Sequence, residues 1–152
     1  LKMINKKRSK IKNLKTGKNC TVIEPVNIYN SKFSNNVFVG PFVEIQNNTK
    51  IGENTRVQSH SFICANVSIG KNCFIGHGVM FINDKFKKGK VEKLKKNFLK
   101  TKIEDNVLIG SNSTIFPVKI SRGCIIGAGS VVTKNLLKKG VYIGNPARLL
   151  KK

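Results

Sequence analysis

A six-residue period runs through most of this 152-residue chain. Every sixth position from Phe33 to Phe81 is apolar, and the residue two places before each of them is small or β-branched. Neither the 3.6-residue period of a helix nor the alternation of an ordinary strand produces this spacing. A strict period of six predicts short strands and tight corners that stack into a solenoid. The apolar positions are Phe33, Val39, Ile45, Ile51, Val57, Ile63, Ile69, Ile75 and Phe81.

Glycine and asparagine recur at fixed places in the same period. Glycine directly follows the apolar residue at four repeats, and asparagine comes three residues after it at five, two of which also have the glycine. Both residue types tolerate a positive φ, so we expect them to turn the corners of the coil. The positions are Gly40, Gly52, Gly70 and Gly76, and Asn36, Asn48, Asn54, Asn66 and Asn72.

The period is interrupted once, at residues 83–102, and it resumes at Ile103. Two single-residue slips occur elsewhere, before Phe33 and before Ile120. A long segment inside a regular solenoid is usually functional, and we expect an inserted loop there. The pattern predicts one all-β domain, residues 15–150, of five to six coils with a short cap from Asn135. A basic segment, residues 1–14, precedes it.

The net charge of +22 has two possible origins. It could reflect a polyanionic partner, or a coding bias that favours lysine throughout the chain. Three of the four cysteines, Cys20, Cys73 and Cys124, fall in the small inward position and are expected to pack in the core. No cysteine spacing is typical of a metal site, and no apolar run of about 18 residues predicts a membrane span. A reduced, cytoplasmic protein is the simplest interpretation.

Several segments together resemble the hexapeptide-repeat acyltransferases, over roughly residues 18–150. They are "IGENTRV", "IGKNCFIGHGV", "IGSNSTIFPVKI" and "IIGAGSVVTKNL…GVYIGNPARL". The resemblance implies a left-handed parallel β-helix with three hexads per coil. It also implies a homotrimer that binds acetyl-CoA in grooves between neighbouring subunits.

A narrower resemblance rests on "GPFVEIQ", "SHSFICANV" and "FIGHGVMFINDKF". These strings are similar to N-acetyltransferases that modify the 3-amino group of UDP-2-acetamido-3-amino-2,3-dideoxy-glucuronate, for cell-surface polysaccharide such as lipopolysaccharide. A dTDP-3-amino sugar or a 4-amino sugar is an alternative acceptor. A basic, non-enzymatic β-solenoid that binds polyanions is a further alternative, but it leaves these strings unexplained and lacks an aromatic platform for nucleic acid. A zinc carbonic anhydrase of the same fold needs three histidines, whereas this chain has only His60 and His77.

Two residues are candidates for catalysis. Eighteen residues per coil place His77 at a corner between Ser59 and Ser111, whereas Asn83 lies at the next corner, where the loop leaves. Similar sugar O-acetyltransferases carry a histidine base near such a loop, and this chain has none there. An alcohol needs a base, but a sugar amine is partly neutral near pH 7 and attacks a thioester unaided. Asn83 is therefore expected to orient the amine, and His77 to act as a base, a substrate hydrogen bond or a corner side chain.

The remaining candidates are assigned to the two substrates. The sugar nucleotide is expected to contact the loop and the nearby corner residues, Asp84, Lys85, Glu44 and His60. By resemblance, backbone amides near Ser111 and Ala128 receive the pantetheine arm of acetyl-CoA. Lys134 and Arg148 are candidates for its phosphates. No metal, nucleic-acid partner or membrane span is expected.

Overall fold

The computed structural model describes residues 10–86 and 89–150, which form a parallel β-helix of twenty-one short strands numbered in chain order. The strands stack into three sheets, and each coil visits sheets A, B and C in turn. Sheet A contains β1 (Ile11–Lys12), β4 (Asn27–Tyr29), β7 (Glu44–Ile45), β10 (Phe62–Ile63), β13 (Met80–Phe81), β16 (Thr114–Ile115) and β19 (Val131–Val132). Sheet B contains β2 (Lys15–Thr16), β5 (Lys32–Phe33), β8 (Lys50–Ile51), β11 (Val67–Ile69), β14 (Thr101–Ile103) and β17 (Lys119–Ile120). Sheet C contains β3 (Thr21–Val22), β6 (Phe38–Val39), β9 (Arg56–Val57), β12 (Phe74–Ile75), β15 (Leu108–Ile109), β18 (Ile125–Ile126), β20 (Val141–Ile143) and β21 (Arg148–Leu149).

The solenoid has seven coils, as the seven strands of sheet A show, so the expected five to six was wrong. The additional coil begins with β1, where Ile11 pairs with Ile28. This strand lies inside the segment 1–14 that was expected to precede the domain, so the solenoid begins before residue 15. Residues 1–9 of that segment lie outside the described residues.

The predicted inward column forms the core. All nine apolar positions are buried, and the register stacks Ile75 between Val57 and Ile109 as the period predicted. The small residues two places earlier are buried as well. Where these carry a hydroxyl, it donates to a backbone carbonyl, as Thr55 Oγ1 does to Gly70 O at 2.8 Å and Ser61 Oγ to Gly76 O at 2.9 Å. The buried hydroxyls of these nine repeats are therefore satisfied without breaking the period, whereas the buried Thr101 Oγ1 has no partner among the described residues.

Asparagine and glycine turn the corners for different reasons. The five predicted asparagines all have a positive φ, between 54° and 67°. The four glycines do not, which corrects the expectation that they supply a left-handed backbone. They are needed because coils stack closely there: a Cβ on Gly40 would lie 2.8 Å from Ser59 N, and one on Gly76 would lie 2.7 Å from Ser111 N.

The insertion leaves the solenoid after β13 and returns at β14. Thr101 already pairs with Val67, so the inserted segment ends two residues before the expected 102. It contains one 3-10 turn, Lys95–Asn97. At the other end, Leu136 bridges to Ile120, β20 pairs with β18, and β21 runs antiparallel to β20. These contacts form the predicted C-terminal cap. No helix within 10–86 and 89–150 is long and apolar enough to cross a membrane.

The cysteines are free, and the structure places two of the three predicted core cysteines, Cys73 and Cys124, in the buried slot, with Cys20 half-buried. Cys64, for which no role was predicted, is buried too, and this burial raises the pKa of its thiol to about 12. The thiolate is the reactive species, so Cys64 is expected to be inert while the chain is folded.

We expect iodoacetamide at a pH of about 8.5 to alkylate Cys20 first, because Cys20 is only half-buried. The buried Cys64 should stay unmodified. In denaturant both residues should react alike. Peptide mass mapping measures the alkylated fraction of each cysteine. Alkylation of Cys64 at the rate of Cys20 in the native protein would contradict its burial.

Candidate active site

The corner between sheets C and A gathers several of the predicted residues. The pairing of β9, β12, β15 and β18 places Ser59, His77, Ser111 and Ala128 at equivalent positions on successive coils. Backbone bonds hold this corner, including Asn112 N to His77 O at 2.8 Å and Gly129 N to Ser111 O at 2.8 Å. His77 thus lies between Ser59 and Ser111, as the 18-residue coil predicted.

The imidazole of His77 is exposed and is oriented by its neighbour below. Its Nδ1 lies 2.8 Å from Ser59 Oγ, and the tautomer decides which of the two donates. In the described part of the chain, Nε2 has no hydrogen-bond partner. Ser59 therefore fixes the ring while leaving one nitrogen for a ligand. Sequence reasoning placed Ser59 beneath His77 but gave it no role.

Beside this column, the rings of Phe42 and His60 stack with centroids 4.9 Å apart. Both residues have a positive φ, 60° and 62°, which is rare for a bulky aromatic residue. Phe42 is 58% exposed, and the residue that follows His60 in this column is Gly78, which has no side chain. Phe42 was missed. It sits three after Val39, where the period usually has asparagine, and that departure was the available signal.

A second group of candidates lies at the root of the insertion. Asn83 and Asp84 line a cavity of about 460 Å³ with Lys85, Lys90 and Leu94. Asn83 is half-buried, its backbone oxygen accepts from Leu99 N at 3.1 Å, and its side-chain amide has no partner among the described residues.

Asp84, predicted as a substrate contact, is engaged with the loop itself. One carboxylate oxygen accepts from Phe86 N at 2.8 Å and the other from Glu92 N at 2.7 Å. These bonds tie the start of the loop to its middle, so the residue shapes the cavity in this conformation.

The His77 group and the Asn83 group occupy different corners of the three-sided coil. His77 precedes β13 and Asn83 follows it, so one side of the coil, roughly 15–20 Å, separates them within a chain. The pairing of β13, β16 and β19 places Asn83, Pro117 and Lys134 in one column. A predicted phosphate contact therefore shares the Asn83 corner, whereas Ser111 and Ala128 share the His77 corner.

Glu44 lies on the outer surface of sheet A, as predicted, where two neighbours hold it. Gln46 Nε2 donates to Glu44 Oε1 at 2.9 Å, and Tyr29 Oη lies 3.4 Å from the same atom. Burial, and then the charge of Glu44, raise the pKa of the Tyr29 phenol. Arg148 lies in the cap, and its Nη1 donates to Ala147 O.

The small side chains of the His77 corner suit a thin, extended ligand. Ala128 and Gly129 are exposed, and no atom lies within 4 Å of the place where a Cβ on Gly129 would stand. A pantetheine arm could approach the backbone closely there. Within the described ranges, no group of three His, Cys, Asp or Glu residues is placed to hold a metal ion.

Family models match this repeat over more than half of the chain. The model of the hexapeptide repeat of succinyl-transferase matches residues 66–80 and 100–134, and that of the bacterial transferase hexapeptide matches residues 30–65. The chain belongs to the hexapeptide-repeat transferases. All candidate residues of the His77 corner fall inside the matched ranges, whereas the Asn83 loop falls between them.

Individual hexapeptide-repeat transferases resemble this chain over different lengths. The bifunctional protein GlmU of Wigglesworthia glossinidia brevipalpis is 44% identical over 114 residues, which are 74% of this chain and 22% of that protein. The 2,3,4,5-tetrahydropyridine-2,6-dicarboxylate N-acetyltransferase of Staphylococcus aureus is 42% identical over 50 residues, 32% of this chain and 21% of that protein. The chain thus spans about a fifth of the length of these curated relatives.

Among solved structures, AntD of Bacillus cereus has the same fold. This N-acyltransferase, solved as a mutant with dTDP and coenzyme A, has a TM-score of 0.66 and 24% identity and covers 90% of this chain and 82% of its own.

Proposed function

We propose that this hexapeptide-repeat transferase is an acetyl-CoA-dependent N-acetyltransferase that modifies the 3-amino group of a UDP-linked amino sugar, of the UDP-2-acetamido-3-amino-2,3-dideoxy-glucuronate type. The observation that carries the proposal is Asn83 at the root of the loop. Its free amide stands where a sugar O-acetyltransferase has a histidine base, and an amine acceptor needs no strong base. The product would serve cell-surface polysaccharide synthesis, and the free cysteines suit a reducing cytoplasm.

In the proposed reaction, the sugar nitrogen attacks the thioester carbonyl, the C–N bond forms, and the C–S bond breaks to release coenzyme A thiolate. The proton lost by the nitrogen neutralises that thiolate directly or through solvent. Asn83 accepts a hydrogen bond from the amine and aligns its lone pair. His77, held by Ser59, contacts the substrate from the other corner through Nε2. The backbone near Ser111 and Ala128 receives the pantetheine arm, and Lys134 and Arg148 contact phosphates.

We further propose a homotrimer, because the two corners are too far apart in one chain to share a substrate. The outer surface of sheet C supports this assembly. Its outward column carries several partly exposed apolar side chains, including Phe74, Leu108 and Ile125, each 36–43% exposed. In the same column, the guanidinium carbon of Arg56 lies over the Phe38 ring, 4.1 Å from its centroid. An apolar strip of this kind is stabilised by burial against a second subunit. An interface through sheet C would place a second subunit beside the His77 corner.

The test is a thiol-release assay with acetyl-CoA over a panel of aminated nucleotide sugars. We expect release with the UDP-3-amino-glucuronate substrate and none with its 3-hydroxy analogue. Release with a dTDP-3-amino sugar alone would favour the alternative acceptor, which the dTDP in the AntD structure makes a specific candidate. Release with only hydroxyl acceptors would overturn N-acetylation.

A further inference from the structure

A straight column of lysines runs along the outer surface of sheet B. The register pairs Lys15 with Lys32, Lys32 with Lys50, Lys50 with Ser68, Ser68 with Lys102, and Lys102 with Lys119. Five of six consecutive outward positions are therefore lysine, and all five are exposed. We call these five residues the lysine column.

The column belongs to one surface only. The equivalent outward positions of sheet A contain one lysine, Lys10 at the end of the stack; from β4 to β19 they contain none and are Asn27, Glu44, Phe62, Met80, Thr114 and Val131. Those of sheet C, from β3 to β20, contain none either; they are Thr21, Phe38, Arg56, Phe74, Leu108, Ile125 and Val141. A coding bias toward lysine would enrich all three surfaces alike, so it does not explain this arrangement.

Neighbouring lysines in the column are close enough to repel one another. Adjacent strands lie about 4.7–4.9 Å apart, which is well inside the Debye length of roughly 10 Å at 0.1 M salt. In the described part of the chain, one member has an ion pair, Lys119 with Glu104 at 3.0 Å. The same repulsion disfavours a two-fold interface in which sheet B packs on its own copy. An external anionic partner would relieve it.

We propose that the lysine column binds the surface of an anionic lipid bilayer. Because the strands of sheet B are only two or three residues long, its outer surface is a narrow strip along the solenoid. A bilayer presents anionic headgroups to all five lysines of this strip at once. The column contains no aromatic side chain on which bases could stack, which disfavours single-stranded nucleic acid. It contains no apolar side chain either, so the attachment is electrostatic and reversible.

The full-length protein should sediment with vesicles of phosphatidylglycerol and phosphatidylcholine, and not with phosphatidylcholine alone. High salt should release it. The triple variant Lys32→Gln, Lys50→Gln and Lys102→Gln should lower the partition coefficient roughly 100-fold, because each lysine near an anionic surface contributes about a factor of five. Its thiol-release activity should be unchanged, which keeps this test separate from that of the catalytic proposal.

Two control variants make the result specific. Changing the same three residues to Arg keeps the charge and should keep binding. Changing Lys71, Lys138 and Lys139 to Gln removes an equal charge from exposed lysines outside the column and should weaken binding less than tenfold. Equal loss in both Gln variants would overturn a column-specific site, as would equal binding to both kinds of vesicle. Capture by duplex or single-stranded DNA without vesicle binding would replace the lipid with nucleic acid and also overturn it.

Discussion

Replacing Asn83 with Ala is expected to lower kcat roughly 100-fold, whereas replacing His77 with Asn should cost only about tenfold. If the sugar amine attacks acetyl-CoA directly, the main task of the enzyme is to align the nitrogen with the thioester. Asn83 lines the loop cavity and its side-chain amide has no partner within residues 10–86 and 89–150, so its loss removes an orienting hydrogen bond at the reacting atom. His77 is exposed, and Asn can still donate a hydrogen bond from its position.

Steady-state kinetics at saturating acetyl-CoA distinguish the two roles. Under direct attack, the pH profile of the His77→Asn variant should keep the single rise set by the substrate amine. Under a base mechanism, the order of the variants reverses, because a general base contributes about 10²–10⁴-fold. The variant would then also lack the rise in kcat that deprotonation of a general base produces. A nearly inactive His77→Asn beside an active Asn83→Ala would contradict our assignment.

Ser59→Ala provides the control for the His77 corner. It removes the hydroxyl that lies 2.8 Å from Nδ1 without touching the imidazole. If His77 positions the substrate, this change should raise KM more than it lowers kcat, since a freely rotating ring still reaches the ligand part of the time. Loss of kcat equal to that of His77→Asn would instead indicate that the hydroxyl and the ring act as one catalytic unit.

Phe81→Ala is expected to destabilise the fold by about 3–5 kcal/mol, the largest effect of a single core truncation in this chain. Phe81 is fully buried and is the largest such side chain; its ring stacks over Ile115 directly before the loop leaves. The matched control is the adjacent Met80→Ala. Met80 points outward and is 41% exposed, so its truncation should cost about 1 kcal/mol or less. Urea unfolding followed by far-UV circular dichroism measures both, and equal losses would contradict the inward register.

The six-residue period predicted the register of the coils better than it predicted where the solenoid begins. Inward and outward positions, asparagine corners and the stacking of Ile75 on its neighbours were all confirmed, because the sequence repeats the same choice many times. The first strand of the first coil was left outside the predicted domain because the inward positions of that coil are weak. Thr16 occupies the place that Phe33 fills one coil later, and it is exposed at the end of the stack. An end coil needs no large inward side chain, so the apolar signal fades there.

The positions of the candidate residues were predicted where they depend on register, and their side-chain contacts were not predicted. His77 beside Ser59 follows from counting eighteen residues per coil. The stack of Phe42 on His60 does not, because the period shows only that Phe42 replaces a corner asparagine and not which ring it contacts. Asp84 likewise belongs to a segment without a period. The sequence therefore does not show that both of its carboxylate oxygens accept hydrogen bonds from backbone amides of the loop. The catalytic and binding roles themselves stay predictions.

The reversal of the last strand has a consequence for how copies of this protein meet. A parallel solenoid ends in a strand whose free amides and carbonyls could template another chain, and repeated end-to-end addition would produce a fibre. In sheet C that edge belongs to β21, which runs antiparallel to β20 and donates from Leu150 N to Val141 O at 2.7 Å. An incoming parallel strand would first have to displace it. The antiparallel strand β21 therefore prevents end-to-end polymerisation at this edge. Association between copies of the protein is thereby directed to the outer surfaces of the sheets.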